Sequence, residues 1–232
     1  AYRYGDWDSL GGNYFPQLSE AAHVTEPFKI PAEWKRYRAF DYGLDMFACG
    51  WFAVDETGRS WMYREYSKSG LIVQDAARAM LERTLPGERI EATFAPPDMW
   101  SRQKDTGRTM AELFFGCGVP IVRADSSRVQ GHMMIKDLLA RRRDGRPSLL
   151  FFSSCRQTID DLRDIQADEN DPNDCAREPH EVTHRVDALR YYCVSRVLSA
   201  GEDGEGGRDS GEGEDYESFM AGGGVTASYL RF

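Results

Sequence analysis

Three aspartates stand where phosphate chemistry would want oxygen ligands: Asp41, Asp98 and Asp187. Asp41 ends the short run Arg38-Ala39-Phe40-Asp41-Tyr42-Gly43, and Asp98 follows the apolar run Ile90 to Ala95 through Pro96-Pro97. Asp187 lies inside a stretch near the C-terminus whose apolar residues recur at helical spacing. In open α/β sheets ligands gather beyond the carboxyl ends of strands. Asp41 and Asp98 meet at that edge if their strands are parallel neighbours, and a helix packed across it would lower Asp187 in from above. Three hard oxygen donors suit Mg²⁺ or Mn²⁺. Two such ions ~3.5–4 Å apart stabilise the attacking and leaving oxygens in phosphodiester cleavage. Each acid also has a plainer reading. Asp41-Tyr42-Gly43 and Pro97-Asp98 are turn-forming sequences, and Asp187 forms an i, i+3 pair with Arg190 that a salt bridge would explain.

Two further groups bear on the same chemistry. His184 is three residues before Asp187, so a helix puts both on one face; it reads either as a group behind or facing the metal, or as a satisfied surface histidine. Arg123, Arg128, Lys136, Arg141, Arg142, Arg143 and Arg146 cluster in sequence. Lys136 and Arg143 are two helical turns apart on one face, which fits either a solvated surface or contact with DNA phosphates. The histidines at 132 and 180 lack metal-ligand spacing.

The elements that must position these residues follow from periodicity and turn signals. Strands are expected at 38–43, 47–54, 60–66, 90–95, 119–123 and 149–152, the second and third joined by the hairpin signal Asp55-Glu56-Thr57-Gly58. Helices are expected at 71–85, 109–117, 129–143, 155–165 and 181–198, with Pro86-Gly87 and Gly118 stopping the first two. A three-strand meander followed by βα alternation gives a mixed sheet with helices on its faces. That is an α/β, ribonuclease H-like layout.

Three zones divide the chain. Residues 1–36, broken by Pro16, Pro27 and Pro31, read as a connecting segment; 37–199 read as the domain; 200–232 read as a flexible acidic, glycine-rich tail. The net charge of −9 is concentrated in that tail, where residues 200–217 hold eight acids against Arg208. The body to residue 199 carries 30 acids and 27 bases, so overall acidity does not exclude DNA. Five cysteines with no C-x-x-C pair argue against a zinc ribbon or a disulfide framework and for reduced thiols in a cytoplasm. No stretch approaches the ~18 apolar residues of a membrane span.

The motif His184-Arg185-Val186-Asp187-Ala188-Leu189-Arg190-Tyr191 resembles the C-terminal motif of the large terminase subunits of tailed bacteriophages. Tyr4-Gly5-Asp6-Trp7-Asp8, Trp34 to Gly43, Pro97-Asp98-Met99-Trp100, Lys104-Asp105-Thr106-Gly107 and Asp144-Gly145-Arg146-Pro147 with Cys155 extend the resemblance in order, from about 4 to 193. It implies the nuclease domain of the packaging motor: a ribonuclease H-like endonuclease that cuts concatemeric double-stranded viral DNA with two Mg²⁺ or Mn²⁺ ions held by Asp41, Asp98 and Asp187. It also implies an ATPase domain in the same full-length subunit, a small terminase subunit and a portal as partners, and the host bacterial cytoplasm as location. The chain reads as a C-terminal piece that begins at the end of the ATPase region. Two positions depart from the pattern. The acid that family members carry directly after the fourth strand is Pro96 here, which leaves Asp125 or Asp45 as substitutes for Asp98. The acid before the histidine is Thr183.

No G-x-x-x-x-G-K-[ST] occurs, so the sequence holds no phosphate-cradling loop for ATP. Two other readings stay open. One is a noncatalytic DNA-gripping module of the motor, separated by a lack of metal-dependent cutting. The other is a different ribonuclease H-like nuclease such as a junction resolvase, separated by branched substrates.

Overall fold

The computed structural model describes residues 13–202 except 44, 105, 106, 170 and 172. The motif at Tyr4–Asp8 and the tail from 203 onward therefore lie outside the described residues. The chain divides into two compact units, Ala1–Val197 and Leu198–Phe232; of the second, only the helical residues 198–202 are described.

The first unit is built on a seven-stranded mixed sheet. Its strands are β1 (Val24–Thr25), β2 (Lys35–Tyr42), β3 (Phe47–Val54), β4 (Ser60–Lys68), β5 (Ile90–Ala95), β6 (Val122–Arg123) and β7 (Leu149–Phe152). They lie in the order β1-β7-β4-β3-β2-β5-β6. β3 is antiparallel to its neighbours β2 and β4, and every other pairing is parallel. The reason β3 takes the centre is visible in its sequence. Phe47-Ala48-Cys49-Gly50-Trp51-Phe52-Ala53 is apolar at every position and all seven residues are buried, as a strand covered on both faces must be.

Among the described residues six α-helices accompany the sheet: α1 (Glu20–His23), α2 (Val73–Arg83), α3 (Met110–Gly116), α4 (Arg128–Leu139), α5 (Arg156–Asp164) and α6 (His180–Glu202). Alternation along β2 assigns its faces. Phe40 and Tyr42 meet Phe114 of α3, and Arg38 donates to Thr84 Oγ1 at the end of α2 (3.2 Å). Tyr37 points the other way, to Tyr192 of α6. Asp41 shares its face with Tyr37. Tyr192 stacks on Phe52 at 3.9 Å and donates to Ser60 Oγ (2.9 Å), which anchors α6 across β2, β3 and β4. α6 begins near the end of β2 and reaches the β3–β4 turn, where Arg196 donates to Gly58 O (2.7 Å).

The connecting segment before residue 37 packs on the sheet unit, where Tyr14, Phe15 and Leu18 are buried in the core and β1 pairs with β7. The expected extent of one helix needs correction. α4 ends at Leu139, because Arg141 to Pro147 close a turn in which Arg142 N donates to Arg146 O (2.8 Å). The helix face expected to join Lys136 to Arg143 therefore does not form. Among the described residues no helix is long and apolar enough to cross a membrane.

Candidate active site

A cavity of about 240 Å³ opens beside the carboxyl end of β2, lined by Asp41, Arg128, Arg177, His180, Thr183, His184 and Asp187. β2 delivers Asp41 at its penultimate position, and the first two turns of α6 deliver His180, Thr183, His184 and Asp187. Helical spacing of three and four puts those four on one face.

His184 joins two aspartates. Its Nδ1 lies 2.7 Å from Asp41 Oδ2 and its Nε2 3.0 Å from Asp45 Oδ2. These bonds, that to Asp41 foremost, outweigh burial and raise its pKa to about 9. Protonated, the ring donates from both nitrogens. The bond from His184 Nε2 is the main reason that Asp45 titrates below the usual carboxylate range. Asp41 behaves oppositely: burial, joined by the nearby negative charge of Asp187, pushes its pKa up against the pull of His184. A Cβ at Gly43 would come 2.6 Å from Asp45 Oδ1 and 3.0 Å from His184 Cε1, so a side chain there would displace the Asp45 carboxylate and crowd the ring.

Asp187 is held from two sides. Arg190 Nε donates to its Oδ1 at 2.8 Å, and Arg128 Nη1 lies 3.4–3.5 Å from its carboxylate oxygens. The i, i+3 ion pair with Arg190 and a place in the cavity thus coexist.

Asp98 lies elsewhere. It is exposed in a 3-10 turn, Pro97–Trp100, and does not line the cavity. The register explains this: Ala39 pairs with Phe94, so Pro96 comes level with Asp41 and Asp98 sits two residues beyond. Asp125 follows β6 at the same sheet end, its pKa lowered by hydrogen bonds from Ser127 and, less, by the charge of Arg190.

The basic cluster is divided. Arg128 lines the cavity, whereas Lys136 places its Nζ 3.5 Å from the centre of the Tyr14 ring. Arg141, Arg142 and Arg143 are exposed in the α4–β7 turn, where Arg142 donates to Thr57 O (3.3 Å) and Ser148 Oγ. That turn lies at the start of β4 and β7, the sheet edge opposite Asp41. Sequence reasoning missed Arg177, His180 and Asp174. The i, i+4 spacing of His180 and His184 was a signal for one of them.

The donor set fits a divalent cation. Asp41 and Asp187 repel one another across the cavity, which a cation would relieve. Asp45, His180 and His184 offer ligand atoms within 4.8 Å of one another, His184 only once it gives up the proton it holds between the two aspartates. Carboxylate oxygens suit Mg²⁺ and Mn²⁺, and imidazole nitrogen adds to the affinity for the latter.

A mixed sheet with this strand order, flanked by helices, is the ribonuclease H-like fold of the large-terminase nuclease domains. The chain is similar to the large terminase of the thermophilic bacteriophage D6E (TM-score 0.65, 17% identity, 81% of this chain and 45% of that one). It is similar to the P22 large terminase nuclease domain (TM-score 0.64, 21% identity, 81% and 93%). It also resembles the nuclease domain of the large terminase g2p from bacteriophage SPP1 solved with bound Mn (TM-score 0.52, 17% identity, 75% and 95%). The chain thus spans less than half the length of the D6E protein and nearly the whole of the two isolated domains. No protein-family model and no curated protein matches the chain.

Proposed function

We propose that this chain is a metal-dependent DNA endonuclease, the nuclease domain of a bacteriophage large terminase subunit, which cuts concatemeric double-stranded viral DNA during genome packaging. The observation that carries the reading is the convergence of Asp41 and Asp187 on one cavity at the carboxyl edge of a sheet whose fold matches terminase nuclease domains. Asp41 and Asp187 would hold the divalent ions, and Asp45, which is not in the cavity lining but is joined to Asp41 through His184, would be the third carboxylate in place of Asp98. Two bound Mg²⁺ or Mn²⁺ ions would activate water and stabilise the leaving oxygen. The protein's own part is to fix the carboxylates. Arg190 holds Asp187, His184 orients Asp41 and Asp45, and the bare Cα of Gly43 lets that histidine approach. The partners are duplex DNA, an ATPase domain in the same full-length subunit, a small terminase subunit and a portal, all in the host bacterial cytoplasm.

Nicking of supercoiled plasmid with Mn²⁺, Mg²⁺ or chelator tests this. Cutting is expected with either metal and none with chelator. Asp41→Asn and Asp187→Asn should each lower the rate at least ~100-fold, the scale of losing one electrostatic element of a site, with melting temperatures within a few degrees of wild type. Asp98→Asn should cut at nearly the wild-type rate, and Asp45→Asn should not. DNA binding with no cutting under either metal would instead make the chain a gripping module.

A further inference from the structure

Arg128, the first residue of α4, is held in a way that a surface phosphate contact does not require. Its Nε lies 3.0 Å from both carboxylate oxygens of Asp174, and its Nη2 lies 3.4 Å from Cys175 O and 3.2 Å from Cys175 Sγ. Asp174 is 7% exposed and accepts two more hydrogen bonds, from His132 Nδ1 (3.1 Å) and Cys175 N (2.8 Å). Burying a carboxylate and a histidine is costly unless each is satisfied. Here both are spent on fixing one guanidinium. His132, Asp174 and Cys175 have metal-type donors within 4.8 Å of one another, but the guanidinium already lies against two of the three, so the cluster serves as its mount.

The remaining edge of Arg128, Nη1, faces the cavity. Its 3.4–3.5 Å contacts with Asp187 are at the limit of a hydrogen bond. Asp187 does not depend on them, because Arg190, 4% exposed, holds it at 2.8 Å. A planar cation that stays protonated, is fixed on two sides and on the third meets only the long contacts with Asp187 suits an oxygen on which negative charge develops.

On the nuclease reading above, we infer that Arg128 is a catalytic residue that donates from Nη1 to the scissile phosphate as its charge grows, and that Asp174, backed by His132, positions it. In that step the water oxygen bonds to phosphorus and the bond from phosphorus to the leaving ester oxygen breaks. The water's proton passes to solvent, and the leaving oxygen takes one up. Arg128 keeps all its protons, and nothing is oxidised.

Single-turnover plasmid cleavage at saturating Mn²⁺ tests this in the full chain, with duplex affinity measured in Ca²⁺ as a second readout. Arg128→Ala should slow cleavage ~100–1,000-fold, the cost of removing a transition-state donor, while duplex affinity falls less than about fivefold and its salt slope by about one. Millimolar guanidinium should partly restore Arg128→Ala and leave Asp41→Asn inactive. Arg128→Lys, which keeps the charge and loses the fork, should remain at least ~10-fold slow. Asp174→Asn should slow cleavage without guanidinium rescue. If Arg128→Ala merely needs more Mn²⁺ and then cuts at the wild-type rate, Arg128 only braces Asp187 and the inference falls. If Arg128→Ala does not fold, a wild-type rate in Arg128→Lys overturns it equally. Failure of the wild-type chain to cut is a separate outcome that removes the nuclease reading itself.

Discussion

His132 is completely buried, and its ring faces Asp174 and Cys175, the guanidinium of Arg128, and the edges of Tyr14 and Phe15. Burial, reinforced by the positive charge of Arg128, drops its pKa to about 4. An unfolded chain binds a proton at this histidine below about 6.5 while the folded chain does not. Stability contributed by His132 is therefore complete above that pH and declines on acidification toward 4. At pH 5 the loss is roughly 2 kcal/mol by linkage. Urea unfolding of wild type and His132→Gln at pH 7 and pH 5 should show a smaller pH difference in the variant; equal differences would put the acid sensitivity elsewhere. The residue level was also where the sequence was most and least legible. That Asp187 and His184 share a helix face could be read because helical spacing fixes it, and that Asp41 stands at a strand end because the turn at Gly43 marks it. The displacement of Asp98 was legible at Pro96, but where it leaves the side chain is decided by the β2–β5 register, which puts Pro96 level with Asp41. Arg128 read as a DNA-phosphate contact or a solvated charge, and its mount was not legible because Asp174 is 46 residues away in sequence.

The site depends on how closely two helices approach. Gly131 of α4 faces Arg190 and Val194 of α6, and a Cβ there would lie 2.5 Å from Arg190 Cγ and 2.9 Å from Val194 Cγ2. Real Cβ atoms do not sit so near, and Cγ is the inner part of the arginine, so α4 or the Arg190 side chain must shift. Alanine gains ~1 kcal/mol of helix propensity over glycine, against ~1–3 kcal/mol for overpacking. Gly131→Ala should therefore lower stability by about 1 kcal/mol, and because Arg190 orients Asp187 it should also raise the Mn²⁺ concentration that cleavage needs. Chemical denaturation and a Mn²⁺ titration of cutting check the two halves; a more stable variant with an unchanged Mn²⁺ requirement would show that the contact relaxes freely. Elements with strong internal patterns, the meander and α6, were legible before the structure. β1 was not, since two residues, Val24-Thr25, become a strand only by pairing with Phe151-Phe152. The end of α4 was missed because arginines are good helix formers, and the turn at Asp144-Gly145 overrides them.

Across the whole sheet, the carboxylates and the arginine run occupy opposite edges. Asp41 is level with Ala48, and Ala48 with Ser67, near the end of β4. The Arg141–Arg146 turn sits against Thr57, and Ser148 just after it accepts from Ser60 N at the start of β4. Seven residues of strand separate these levels, about 23 Å at 3.3 Å per residue. The Debye length at physiological salt is about 8 Å, so a charge at one edge is screened from a phosphate at the other. Part of that basic edge is also engaged locally: Arg59 pairs with Asp144, and Arg142 bonds Thr57 and Ser148. Arg123, by contrast, is exposed where β6 ends, at the carboxylate edge. On the nuclease reading, Arg177 in the cavity lining and Arg123 at the same sheet end are the basic residues nearest an entering phosphate chain, not Arg141. Reversing Arg141 and Arg143 together to glutamate should thus leave the cleavage rate at saturating DNA within twofold of wild type and the salt slope of binding unchanged. Arg123→Glu should weaken binding to all sequences alike and reduce that slope by about one, as loss of a single phosphate contact does. Fluorescence anisotropy of a labelled duplex across a salt series reads both. A reduced slope in the double variant with no change in Arg123→Glu would move the DNA track to the other edge of the sheet and away from Asp41.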